Sequence, residues 1–134
     1  MNHSAKSSSS KAEKIKSSLG NLVRVSDDNN RHGKAHADHM KSTFTNMMKE
    51  FEEGFKAAVD AVDSKDVKEV LEASRDELKS KYIDEKVVPE LKEEVKSARN
   101  EESEKAANGN GNKVVAEALR QVDEAVNQKS VQIG

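Results

Sequence analysis

Every phenylalanine in this chain, and every methionine after the first residue, lies between Met40 and Phe55. Along that segment Met40, Phe44, Met47, Phe51, Phe55, Ala58 and Val62 recur every three or four residues, so a helix gathers them on one face. Adding eleven carries Met40 to Phe51 to Val62, Phe44 to Phe55 and Met48 to Val59. Eleven residues over three turns stays close to the natural helical repeat, so the helix should be nearly straight instead of winding as a left-handed heptad coil. Whatever the chain folds into has to cover this stripe, either inside one molecule or against a partner.

Composition says how little else there is to cover it with. Hydrophobic residues make up 34% of the 134-residue chain, charged residues 36%, and there is one tyrosine and no tryptophan. Globular domains usually carry roughly 45–50% apolar residues with glycine counted, so the core should be thin. A thin core on charged helices belongs to elongated helical proteins and to helices that finish their burial against something else.

The net charge of −2 steers the chain toward neither nucleic acid nor an anionic membrane. Lysine and arginine nevertheless outnumber acids seven to three up to Lys34, leaving the remainder net acidic. With no cysteine there is no disulfide frame and no thiolate site. No apolar run approaches the length of a signal core or a membrane span, so the default expectation is a cytoplasmic protein, with leaderless secretion open.

Punctuation divides the chain. Residues 1–33 read as a flexible basic tail, polar over 1–10, with a short amphipathic helix over 11–25 (Ile15, Leu19, Leu22, Val23) and a linker of turn formers. Residues 34–107 read as a core helical hairpin, with helices at 34–63, 65–88 and 89–107. Ser64 is placed to cap the second and Asp66 to favour its dipole. Gly54 costs its helix roughly 1 kcal/mol relative to alanine, which a chain tolerates if a neighbouring backbone must approach there. Pro89 should kink the chain or restart a helix with itself in the first turn, and it disfavours helical geometry at Val88. The alternating asparagines and glycines of 108–112 read as a flexible loop, and 113–134 as a final helix and short tail. The expected fold is all-α: an elongated antiparallel hairpin or small bundle of about four to five helices behind a disordered polar N-terminal tail.

Chemical sites have weak signals. His32, His36 and His39 would share one helix face, a layout that can hold zinc, copper or nickel, but a frayed helix start is the plainer reading and no metal is assigned. Asp28, Asn30 and His32 imitate the start of a calcium loop, yet His39 stands where a bidentate glutamate is required. The carboxylates Glu50, Glu52, Glu53, Glu93, Glu94, Glu101 and Glu102 alternate with lysine and read as solvated helix faces. The glycine-asparagine loop lacks the Lys-Ser/Thr of a phosphate cradle, and there is no nucleophile elbow. The basic front carries no aromatic residue for stacking on bases.

The expectation is therefore a non-enzymatic protein with no cofactor, no small-molecule substrate and no specific nucleic acid partner. It would serve as a helical interaction or assembly component such as a scaffold, adaptor, filament or secretion-associated subunit. Its expected partner or oligomer interface is the stripe of Met40, Phe44, Met47, Met48, Phe51, Phe55, Val59 and Val62, engaging another protein or a copy of itself. The alternative is an amphipathic-helix protein that lies on lipid or a membrane surface, since the same periodicity serves there.

Overall fold

A computed structural model describes residues 3–29 and 34–128 of the chain, with side chains over 11–28 and 34–128. All regular structure among these residues is helical: α1 (His3–Asn29), α2 (Lys34–Ala61), α3 (Lys65–Ala73), α4 (Arg75–Tyr82), a π turn (Ile83–Val87), α5 (Val88–Ala107) and α6 (Lys113–Asn127). Four of them form a small bundle. α1 packs on α2 and α6, and α5 packs on the same two, which closes a ring in the order α1, α2, α5, α6. Side-chain pairs fix the directions. His36 meets Glu101 while Glu52 meets Arg75, so α2 runs antiparallel to the α4–α5 stretch. Lys11 reaches Asp84 at 2.7 Å, and Ser26 lies with Ala98 and Glu102 further on, so α1 runs alongside α4 and α5 in the same direction.

The core is built by helical stripes from all four bundle members. α1 contributes Ala12, Ile15, Leu19, Leu22 and Val25, spaced three and four apart, and α6 contributes Val115, Ala118, Leu119, Val122, Ala125 and Val126. Between them lie Ala37, Met40 and Phe44 of α2 and Leu91, Val95 and Ala98 of α5. The core thus extends beyond the expected 34–107 unit. A nine-residue helix such as α3 gains little by itself, but a longer α1 carrying four large aliphatic residues fills the groove between α2 and α6. The basic segment at 11–25 is a full member of the bundle, and its helix is longer than expected at both ends, from His3 through the turn formers Ser26–Asn29; residues 1, 2 and 30–33 lie outside the described residues.

Helix ends follow local chemistry. The Ser64 hydroxyl accepts from the Val67 amide at 3.3 Å, with Asp66 in the first turn, as the sequence implies. Asn112 caps α6 by accepting from the amides of Val114 and Val115. In the preceding loop Gly109 takes φ +81°, and a Cβ on Gly111 would stand 2.7 Å from the Ala106 Cα, so both glycines are required. Gly54 is different: among the described residues a Cβ there would meet nothing within 4 Å, so a close backbone approach does not account for it.

Three further boundaries differ from expectation. α2 ends at Ala61, two residues early, and the single helix expected over 65–88 is interrupted at Ser74, where φ −92° and ψ 0° end α3. Further on, the Val88 amide donates to the Ile83 carbonyl, five residues back, within the π turn. Pro89 sits in the first turn of α5, but Val88 keeps helical angles (φ −59°, ψ −48°). The wider turn takes up the missing donor and the bulk of the proline ring, so the chain passes into α5 without breaking.

Candidate interaction surface

The C-terminal half of α2 continues beside α3 and α4, and α1 packs along α4. The Met/Phe stripe divides at this point. Met40 and Phe44 are buried in the core, and Met47 and Met48 are partly buried against it. Phe51, Phe55, Val59 and Val62 are half-buried on the projecting part. Phe51 stacks on Phe55 with ring centroids 6.1 Å apart and meets Tyr82 at 5.4 Å with its ring tilted by 42°. Burial, and then the nearby Glu50 carboxylate, push the Tyr82 phenol above its ordinary range. Arg75 of α4 binds Glu52 of α2, with Lys79 at 3.9 Å from the same carboxylate, and these ties hold α4 to α2.

Outward from this seam the surface is apolar. Val67 is 47% exposed, Val70 64% and Leu78 39%, and neither α3 nor α4 has a buried residue. Val114, at the start of α6, is the other large hydrophobic residue that is exposed among the described ones. Charged groups of both signs surround the α3–α4 patch. α3 and α4 together carry five acids and five bases, with Asp60 and Asp63 just before them. Asp76 reaches Arg75 at 3.5 Å, while Asp60, Asp63, Asp66, Glu69, Glu72 and Glu77 have no ion pair among the described residues. The sequence reading placed the surface on α2 and took Val67, Val70 and Leu78 only as the apolar stripe of the next helix. Their spacing marks an apolar stripe, but nothing local tells that α2 covers only one side of it.

The histidines divide between separate partners. His36 and His39 share a face of α2, three residues apart, and each meets a different glutamate of α5: His36 with Glu101 at 2.8 Å, His39 with Glu94 at 3.2 Å. His32 lies outside the described residues, among which no group of three metal-ligating side chains converges. The hydrogen bond from His36, assisted by Lys105, lowers the Glu101 pKa against a smaller opposing effect of burial.

Glu102 departs from the solvated face expected of it. It is 7% exposed and accepts from the Asn112 amide at 2.6 Å, joining α5 to the start of α6. Its place in the stripe Leu91, Val95, Ala98, Glu102 was the signal. A cleft of about 380 Å³ opens beside it, lined by Arg99, Ala106, Gly111, Lys113 and Leu119. Arg99 is engaged with Asp123 at 2.7 Å, so the cleft's strongest cation is already paired. Among the described residues no helix is long and apolar enough to cross a membrane.

Compared with protein-family models, curated proteins and solved structures, the chain matches none of them.

Proposed function

We infer that the protein is a non-enzymatic helical interaction component whose contact surface is the projecting end formed by α3, α4 and the C-terminal half of α2. The observation that carries this reading is the exposure of Val67, Val70 and Leu78 on two helices that bury no residue of their own. Helices of nine and eight residues are too short to persist by propensity, and leaving their larger side chains in water gives up the burial that would steady them. A partner seated there supplies that burial. The Met/Phe stripe serves twice: Met40 and Phe44 anchor α2 in the bundle, and Phe51 and Phe55 support the surface from behind.

The test is site-specific photo-crosslinking in cells, with a photoreactive amino acid at Val70 and, as control, at exposed Lys96 on α5. Discrete adducts from position 70 and none from position 96 are expected. Equal labelling at both positions, or none at either, overturns the reading.

A further inference from the structure

We propose that the loop between α5 and α6 is a site of spontaneous covalent modification, in which Asn110 loses its side-chain amide and its link to Gly111 is partly rerouted through the side chain. The proposal is independent of the contact surface just described.

Asparagine is chemically labile where the next residue lets its amide nitrogen reach the side-chain carbonyl carbon, and glycine, with no Cβ, obstructs that approach least. The loop holds two such pairs, Asn108–Gly109 and Asn110–Gly111, each set in the same local run of Asn-Gly-Asn. All four residues are exposed, and neither asparagine side chain has a hydrogen-bonding partner among the described residues. By sequence the two sites are alike.

The fold separates them. Gly109, at φ +81°, donates its amide to the Ala106 carbonyl at 3.1 Å, and the Asn110 amide donates to the Lys105 carbonyl at 2.7 Å. These are the paired bonds of a Schellman cap at the end of α5. Asn108 has ψ 8°, which turns the Gly109 nitrogen away from its side chain, and swinging that nitrogen round to react breaks both cap bonds. The Gly111 amide, in contrast, has no hydrogen-bonding partner among the described residues. Asn110 is therefore the reactive member of the pair.

The Gly111 nitrogen gives its proton to solvent base and bonds to the Asn110 Cγ, while the Cγ–Nδ2 bond breaks and ammonia leaves with a proton from water. Water then opens the cyclic imide, and the nitrogen regains a proton. Addition at Cγ leaves aspartate; addition at the main-chain carbonyl carbon, with rupture of that bond to nitrogen, leaves isoaspartate. One water enters, one ammonia departs, and a carboxylate is gained.

Isoaspartate inserts the side-chain methylene into the main chain, and this loop has little slack for it. The Asn112 amide is bonded to buried Glu102 at 2.6 Å, and beside Ala106 there is no space even for a Cβ on Gly111. The longer backbone loosens the joint between α5 and α6. Plain aspartate, two residues before the Asn112 cap, suits the dipole of α6 instead.

The experiment incubates the full chain in heavy-oxygen water at physiological temperature, at neutral and mildly alkaline pH, and maps peptides by mass spectrometry with electron-transfer fragmentation. Position 110 is expected to take up label about tenfold faster than position 108, the factor that two ordinary hydrogen bonds imply. Both rates should rise with pH, since the deprotonated nitrogen attacks. In concentrated urea, where the cap is lost, the two positions should react equally. Asn110→Gln, whose longer side chain closes the ring poorly, should suppress the new acidic species. Equal rates in the folded chain, faster reaction at position 108, or no reaction at position 110 while the unfolded chain reacts, overturns the proposal. The isoaspartate fraction, isolated by ion exchange, is expected to unfold at a lower urea midpoint than the fresh chain, with Asn110→Asp unchanged. An unaltered midpoint for that fraction overturns the loosening of the joint.

Discussion

Ser26 lies on the core face of α1, fully buried, and its hydroxyl has no hydrogen-bonding group within reach among the described residues. An unsatisfied buried hydroxyl costs about 1–3 kcal/mol, so Ser26→Ala should raise stability by roughly 1 kcal/mol. Urea unfolding followed by circular dichroism measures this, and a loss of stability would mean that the hydroxyl is engaged. Glu101 makes a pH-dependent prediction. Its folded pKa is lowered, chiefly by the hydrogen bond from His36, so its contribution is present above the unfolded carboxylate value, about 4.3, and is lost as pH falls through the folded one. Glu101→Gln should therefore melt below the parent at neutral pH, with the two curves converging below about pH 4. A constant difference across that range would assign the effect to packing instead. Neither residue was legible in advance: the period of the α1 stripe marks Ser26 as inward, but an orphaned oxygen is a property of its neighbours on other helices.

At the level of elements, the α6 cap is the most local piece of the fold. Asn112 satisfies two amides at 2.9 and 3.2 Å, and Asn112→Ala should cost about 1 kcal/mol, read as a fall in the urea midpoint. An unchanged midpoint would show that Glu102, bonded to the amide of the same residue, holds the helix start without the side chain. At the other end of the chain, residues 1–10 carry almost no apolar bulk, and described burial starts at Lys11 and Ala12. Removing 1–10 should change stability by less than roughly 1 kcal/mol. A large drop in melting temperature would place those residues in the fold. The Ser64 cap, the glycine-asparagine loop and α6 were readable because caps and turns depend on a few adjacent residues. The break at Ser74 was not, since the apolar period continues through to Leu78 and hydrogen bonds from Ser74 to Val70 and from Leu78 to Ser74 carry on across it.

For the whole molecule, helical periodicity and the absence of disulfides made the all-α class legible. Which stripes would meet was another matter. The stripes of α1 and α6 are aliphatic and modest, and the sequence offers no measure of how well such surfaces fit each other. They close on Met40 and Phe44, so this part of the Met/Phe stripe is covered within one chain. The Met/Phe stripe was found by its period, but a period tells which residues share a face and not where along the helix the neighbours stop.

The π turn at Ile83–Val87 has a consequence for the α3–α4 end. One surplus residue there offsets the angular phase of α4 from that of α5, as a spacer sets the clocking of two gears on one shaft. Deleting exposed Lys86 would make the Val88-to-Ile83 hydrogen bond an ordinary α-helical one and swing α4 by about 100° around the common axis. Tyr82 would leave Phe51, and Leu78 would point elsewhere, while Leu91 and Val95 kept their places. Because Tyr82 is the sole tyrosine and there is no tryptophan, quenching of intrinsic fluorescence by acrylamide reports the turn directly: emission more open to quencher is expected, and unchanged quenching would mean that the clocking is set elsewhere. The direction in which the molecule presents its apolar surface would then be an angle written by a single residue.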